Sequence, residues 1–196
     1  MAYEQNTDEE LVGLYLAGDE HAFTEIVQRH IKPQYNFVLR LSGNGRDAEE
    51  IVQESFVKVW KHMKNFRQGE KFKTWLYTIS RNTTIDVLRK KKSVLFSVFE
   101  ADDGSNMLEE TLTDDELLPD ELFEHAERKE FAEKLLEKLP LHYREVLLLR
   151  YQQGLDFSEI SSMLGRSVNT VKSQHRRALL GLRKDLASAP KGGYDS

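Results

Sequence analysis

Residues 156–182, DFSEISSMLGRSVNTVKSQHRRALLGL, carry the clearest folding signal in the chain. Asp156 and Glu159 have the spacing of a capping box, which predicts that a helix begins here and continues through Leu164. Gly165 then permits a tight turn, and Ser167 is placed to cap a second short helix. Two helices joined in this way form a helix-turn-helix.

The second helix of this motif presents polar and basic side chains on its outward side. In a DNA-binding helix-turn-helix this helix enters the major groove, where Asn bonds adenine and Arg or Lys bonds guanine or phosphate. The outward residues are Asn169, Thr170, Lys172, Ser173, Arg176 and Arg177. The alternative is an ordinary helical hairpin with a solvated basic face. DNA binding is favoured because the cap, the glycine turn, the apolar positions and the basic face agree at one site.

The remainder of the chain also shows helical periodicity, with almost no strand-like alternation, so the fold class is all-α. Thr7 and Glu10 predict a capping box for the first helix. Pro33 is expected to open another helix, and Asp47 with Glu50 to cap the next one. A further helix is expected from near Lys73 to Lys91.

Charge divides the chain into parts. The total of −5 hides a segment, residues 93–130, that holds thirteen acidic and two basic residues, so the rest of the chain carries +6. Periodicity fades in the same place, which predicts a flexible acidic linker. The predicted organisation is two small helical domains, residues 1–92 and 120–187, joined by a linker at 93–119 and followed by a disordered tail at 188–196.

Aromatic and basic residues alternate between Phe66 and Arg89. Cations attract a nucleic-acid backbone and aromatic faces stack on unpaired bases, so this composition suits single-stranded or melting DNA. The alternative for individual aromatics is burial, and Trp75 has the helical spacing of a core residue. Asp86 is expected to be a structural hydrogen-bond partner. The preceding helix has a polar face that is either solvated or a docking surface for another protein.

Composition excludes several classes of protein. The chain has no cysteine, so it has no disulfide and no thiolate metal site. No apolar run approaches the length of a membrane span and no signal segment is evident, so we expect a soluble cytoplasmic protein without membrane insertion. There is no Walker loop, zinc-protease pair or nucleophile elbow, and we expect no catalytic residues, metal or cofactor. A stand-alone helix-turn-helix regulator, with two symmetric half-sites, is the competing DNA-binding function.

Several stretches closely resemble bacterial RNA polymerase sigma factors of the extracytoplasmic-function group. These are DAEEIVQESF at 47–56 with Trp60, FKTWLY at 72–77, RN at 81–82, DVLR at 86–89 and TVKS at 170–173. The resemblance covers both predicted domains and implies a sigma2-like bundle followed by a sigma4-like helix-turn-helix. It implies a sigma factor that binds core polymerase, reads promoter DNA and assists melting, without being an enzyme.

The resemblance also implies roles for individual residues. The β′ coiled coil of the polymerase would be bound by Asp47, Glu50, Ile51, Gln53, Glu54, Phe56 and Trp60. The minus-ten element, including its melted non-template strand, would be bound by Arg67, Phe72, Lys73, Trp75, Tyr77, Arg81, Asn82 and Arg89. The duplex minus-thirty-five element would be bound by Arg166, Ser167, Asn169, Thr170, Lys172, Ser173, Arg176 and Arg177, while the same domain touches the β flap.

Two expectations concern regulation. Many members of this group are held by an anti-sigma factor that covers the polymerase-docking surfaces, which makes such a factor a candidate partner. The acidic linker is hypothesised either to follow the basic RNA-exit path of the polymerase as a nucleic-acid mimic or to shield the basic DNA-binding surfaces of the free factor.

Overall fold

A computed structural model describes residues 3–67, 69–95 and 133–188 of the protein, and the regular secondary structure of these residues is all helical, with no strand. The N-terminal bundle contains α1 (Asp8–Leu16), α2 (Glu20–Ser42), α3 (Gly45–His62), a short 3-10 turn (Met63–Asn65) and α4 (Phe72–Leu95). The C-terminal bundle begins with a helical segment at 133–138. After that segment, the C-terminal bundle contains α5 (Leu141–Leu147), a π-helical turn (Leu148–Gln152), α6 (Phe157–Leu164) and α7 (Val168–Ser188). The all-α prediction is confirmed for the described residues.

Apolar stripes build the core of each bundle. In the N-terminal bundle the fully buried side chains include Ile26, Phe37, Ile51, Leu76 and Tyr77. The phenyl ring of Phe37 meets the ring of Tyr77 edge to face, with centroids 5.1 Å apart. In the C-terminal bundle the buried side chains include Leu149, Ile160, Val171 and Ala178.

Two capping boxes are confirmed. Thr7 Oγ1 accepts a hydrogen bond from the Glu10 N–H, and the Thr7 N–H donates to the Glu10 carboxylate. Asp156 and Glu159 make the same reciprocal pair at the start of α6. These motifs are predictable because all of their partners lie within three residues.

Three local predictions are wrong. Pro33 does not open a helix but lies inside α2, on its exposed side. Asn44, not Asp47, caps α3, since its side-chain oxygen accepts from the Asp47 N–H at 3.2 Å. The second helix of the helix-turn-helix is long rather than short, because α7 extends over 21 residues to Ser188.

The predicted linker lies almost wholly outside the described residues, although α4 continues to Leu95, three residues into it. The residues to which the linker hypotheses refer and the residues after 188 are likewise outside the described part of the chain.

The first helix is held to α2 by an ionic cluster around Asp8. The distance from Asp8 Oδ2 to His30 Nε2 is 2.7 Å, and Arg29 Nη1 lies 3.4 Å from Oδ1. Burial by itself would raise the pKa of Asp8. The hydrogen bond from His30 and the positive charges of His30 and Arg29 outweigh burial and hold this pKa below its usual value.

We expect Asp8→Asn to lower the free energy of unfolding by about 1–2 kcal/mol near neutral pH, since a charge-assisted hydrogen bond is lost. Because the pKa of Asp8 is lower in the folded state, its ionisation stabilises the fold at pH values above the unfolded-state pKa of 3.8. This stabilisation is lost as the pH falls through the folded-state pKa. The difference between the two proteins should therefore close on acidification. Urea unfolding at a series of pH values measures it, with the exposed Glu49→Gln as control; a gap that widens in acid would contradict the prediction.

Candidate polymerase and nucleic-acid interfaces

One face of α3 remains exposed although the opposite face is core. Ile51 and Phe56 are buried, whereas Trp60 and Val57 are 53% and 47% exposed. Glu50, Gln53 and Glu54 lie on the same exposed face, three or four residues apart. Two large apolar side chains left in water within a polar surround are typical of a protein-binding surface.

Three of the residues predicted to bind polymerase do not lie on this face. Ile51 and Phe56 belong to the core stripe, so they position the helix rather than contact a partner. Asp47 is also buried, and its carboxylate accepts a hydrogen bond from Lys91 Nζ of α4. Val57 was missed by sequence reasoning, although its position between Glu54 and Trp60 on the helix could have indicated it.

An aromatic cluster forms the start of α4. The rings of Phe66, Phe72 and Trp75 lie with centroids 5.5–5.8 Å apart, and the Phe72 N–H donates to Glu9 Oε1 of α1. The prediction that Phe72 and Tyr77 contact DNA disagrees with their burial, since both are 0% exposed. Their helical spacing turns them inward, whereas Trp75 stays half-buried at the edge of the cluster.

Four other residues predicted for the minus-ten element differ in exposure, and the side chain of Arg81 is only 17% exposed. Arg67, Asn82 and Arg89 are exposed. Arg81 Nη1 donates to Asn82 Oδ1 at 3.1 Å, and Arg89 Nη2 donates to Asp86 at 3.0 Å. The expectation that Asp86 is a structural hydrogen-bond partner is confirmed.

The helix-turn-helix has the predicted local geometry. Gly165 adopts φ +63°, a left-handed conformation that ends α6, and Ser167 Oγ accepts from the Thr170 N–H at the start of α7. Val171, Ala178 and Leu182 are buried beneath α7. The exposed side carries Ser167, Asn169, Thr170, Lys172, Ser173 and Arg177. Arg166 and Arg176 are partly buried, and Arg166 Nη1 donates to Gln174 Oε1.

The two bundles meet through α4 and through α2, where Arg144 Nη1 donates to the Leu41 carbonyl. Lys71 Nζ donates to Glu159 Oε1 at 2.6 Å, and Lys73 Nζ donates to the Gln153 carbonyl at 2.7 Å. Arg81 Nε donates to Glu145 Oε2 at 2.8 Å. The hydrogen bond between Lys71 and Glu159 raises the pKa of the lysine and lowers the pKa of the glutamate.

Glu145 is the residue that sequence reasoning missed most completely. Its side chain is 1% exposed, and its second oxygen lies 2.7 Å from Arg166 Nη2, an ionic contact whose N–H is not aligned for a hydrogen bond. The carboxylate thus contacts one arginine from each bundle. A glutamate followed by Val146 and Leu147 carries no local signal for this role, because Arg81 lies 64 residues away.

Within the described ranges there is no group of three or more His, Cys, Asp or Glu side chains that could hold a metal ion. No helix in that part of the chain is both long and apolar enough to cross a bilayer.

Comparison with known proteins agrees with this geometry. Residues 26–94 match Sigma-70 region 2, and residues 132–182 match Sigma-70, region 4. The chain is 35% identical over 171 residues to the ECF RNA polymerase sigma factor SigW of Bacillus subtilis, covering 86% of this chain and 91% of that one.

Two solved structures share the fold at 24% identity. CnrH, in complex with the cytosolic domain of CnrY, has a TM-score of 0.68 over 93% of this chain and 99% of its own. The sigma factor RpoE from Bartonella quintana, in complex with the anti-sigma factor NepR, has a TM-score of 0.63 over 86% and 98%.

Both bundles therefore match the two parts of one protein family in the expected order, and a relative above 30% identity matches across nearly its whole length. The chain belongs to the extracytoplasmic-function group of the sigma-70 family and is a promoter-recognising RNA polymerase sigma factor.

Proposed function

We propose that the protein divides promoter recognition between three surfaces. The exposed face of α3 docks on the β′ coiled coil of core polymerase, the outer side of α4 binds the minus-ten strand, and the start of α7 reads the minus-thirty-five duplex. One observation carries this assignment. Each helix buries an apolar face in its bundle, and the side chains outside that face have the chemistry that the proposed partner requires.

The residues of each surface are those that are exposed or only partly buried. On α3 the contacts come from Glu50, Gln53, Glu54, Val57 and Trp60. On and before α4 they come from Arg67, Lys73, Trp75, Arg81, Asn82 and Arg89, with Phe72 and Tyr77 supporting the surface from beneath. On and before α7 they come from Arg166, Ser167, Asn169, Thr170, Lys172, Ser173, Arg176 and Arg177, and the same bundle meets the β flap.

The domain boundaries at 92, 119 and 187 remain part of this proposal, as does the absence of catalytic activity in the chain itself. Sigma factors are non-catalytic initiation factors that act on RNA polymerase, which supports both that absence and a cytoplasmic location. An anti-sigma factor is a further proposed partner, since the Bartonella quintana relative is bound to one. The exposed face of α3 is the surface that such a partner would cover.

A crossed pair of variants tests the assignment. Lys172→Ala should weaken binding to a minus-thirty-five duplex by about 5-fold and lower the salt slope by about 1, because one phosphate or base contact is lost. Asn82→Ala should leave duplex binding intact and reduce promoter melting by the holoenzyme. The measurements are duplex titrations at several salt concentrations and permanganate reactivity of unpaired thymines. If both variants changed the same step, the division between α4 and α7 would be wrong.

A further inference from the structure

A lysine lies beside the docking face of α3, the surface that consists of Glu50, Gln53, Glu54, Val57 and Trp60. The ammonium of this residue, Lys58, makes two polar contacts that lead in opposite directions. Its Nζ lies 2.8 Å from Glu54 Oε1, one turn earlier on the docking face, and donates to Thr83 Oγ1 of α4 at 3.0 Å. One lysine therefore connects a surface carboxylate to the interior of the bundle.

Thr83 is a fixed acceptor for this lysine. The residue is buried, at 1% exposure, and its hydroxyl donates to the Ile79 carbonyl at 2.9 Å. A hydroxyl has one proton and two lone pairs, so once its proton is used on Ile79 it can only accept from Lys58. Because Thr83 is enclosed by the bundle, the position of the ammonium is set by the core rather than by solvent.

A second ion pair on α3 shows what this anchor adds. Arg46 Nε lies 3.8 Å from Glu50 Oε1 with the same four-residue spacing, and the two side chains are 89% and 72% exposed. Within the described residues neither side chain is held by another helix. Exposed pairs of this kind gain little from holding two long side chains in one geometry. Glu54 differs from Glu50 because its partner is itself anchored.

An ordered Glu54 lowers the cost of docking. Its side chain is 52% exposed and its Oε1 is paired with Lys58, so Oε2 can accept a hydrogen bond from a cation or N–H group of a partner. Glu54 is three residues from Val57 on the same side of α3, which places the carboxylate at the edge of the exposed apolar side chains. Binding must normally order a flexible glutamate, and that cost is avoided when the side chain is already held in the free protein.

We propose that Lys58 is a positioning residue for polymerase binding. Anchored by Thr83, it holds the Glu54 carboxylate in the orientation that core polymerase binds, and it does not contact polymerase itself. The inference rests on the proposed function, because it takes the exposed face of α3 as the surface that docks on polymerase.

Removal of the anchor alone is the sharpest test. Thr83→Val replaces the buried hydroxyl with a methyl group of similar size and leaves both charges of the pair between Lys58 and Glu54 in place. Thr84→Val is the matched control. Thr84 is 0% exposed and donates to the Ser80 carbonyl at 2.7 Å, but among the described residues it accepts from no lysine.

Titration of the labelled full-length factor with core polymerase measures the effect. Thr83→Val should weaken binding by about 3-fold, because the cost of ordering one long side chain returns. Thr84→Val should match wild type within about 1.5-fold, while urea unfolding should show a similar loss of stability in both threonine variants. Equal polymerase affinity for Thr83→Val and Thr84→Val would overturn the proposal.

A double-mutant cycle distinguishes positioning from direct contact. Glu54→Ala should weaken polymerase binding by about 10-fold, since a hydrogen bond to a charged group is lost. In the Glu54→Ala background, Thr83→Val and Lys58→Met should each cause no further loss beyond about 1.5-fold, because the carboxylate that they orient is gone. If Thr83→Val does not fold, Lys58→Met alone and in this background decides, with an expected loss of at least about 3-fold alone.

Two results of the cycle would overturn the positioning role. A loss that persists in the Glu54→Ala background would mean that Lys58 contacts polymerase directly or acts only through folding. Tighter binding by Lys58→Met than by wild type would mean that the lysine competes for the carboxylate instead of presenting it.

The same titrations separate this inference from the proposed function. If Glu54→Ala and Trp60→Ala weaken polymerase binding but Thr83→Val does not, the docking assignment stands and only the positioning role fails. If neither Glu54→Ala nor Trp60→Ala weakens binding, the assignment of the α3 face fails and the positioning role fails with it.

Discussion

Replacing Trp60 with alanine is expected to weaken binding to core RNA polymerase by about 30-fold or more, because tryptophans at the centre of an interface typically contribute at least 2 kcal/mol. Trp60 is 53% exposed on α3, and Val57 beside it is 47% exposed. The indole is already in water in the free factor, so its removal should change the free energy of unfolding by less than about 1 kcal/mol. The loss should therefore appear in binding and not in folding.

Titration of fluorescently labelled factor with core polymerase measures this effect, and promoter-directed transcription should fall in parallel and recover at high factor concentration. Ile31→Ala is the matched control, because Ile31 is a large apolar residue of α2 with 47% exposure outside the docking face. Equal polymerase affinity for Trp60→Ala and Ile31→Ala would contradict the assignment of the α3 face.

Sequence alone predicted those features whose causes are local. The capping boxes at Thr7 and Asp156 and the glycine turn at Gly165 depend on residues within a few positions, and all three are present. The burial of Asp47 could not be predicted in this way, because its partner Lys91 is 44 residues distant. The prediction that Pro33 opens a helix was wrong for a related reason. A proline usually interrupts a helix, yet here the surrounding bundle keeps α2 continuous.

For the segment between Phe66 and Arg89, the sequence shows which residue types are present but not the direction in which each side chain points. Residue types between Phe66 and Arg89 predict single-stranded DNA as the ligand of this segment, yet they do not show which aromatics turn inward. Nor could they show that the cations meet Glu145 and Glu159, since contacts between bundles depend on tertiary structure alone. Spacing on one helix defines a face, whereas the partner of that face is set by the rest of the fold.

Phe72→Ala is expected to lower the free energy of unfolding by about 3–5 kcal/mol, the cost of deleting a buried aromatic ring and leaving a cavity. Phe72 is 0% exposed and contacts the rings of Phe66, Trp75 and His30. Urea unfolding should show the loss directly. Any reduction in DNA binding by this variant should follow the fraction of protein that is folded.

Phe72→Leu decides whether the ring supports the surface or stacks on a base. Leucine refills most of the cavity, so the variant should fold with a loss of only about 1–2 kcal/mol. If Phe72 is a core residue, the Phe72→Leu holoenzyme should bind the minus-ten strand like wild type, whereas Trp75→Leu should lose about 10-fold, as expected when one stacking contact is removed. If Phe72→Leu is folded but loses the strand as strongly as Trp75→Leu, then the ring must leave the core when DNA binds. The burial seen in the free factor would then describe only the state before promoter opening.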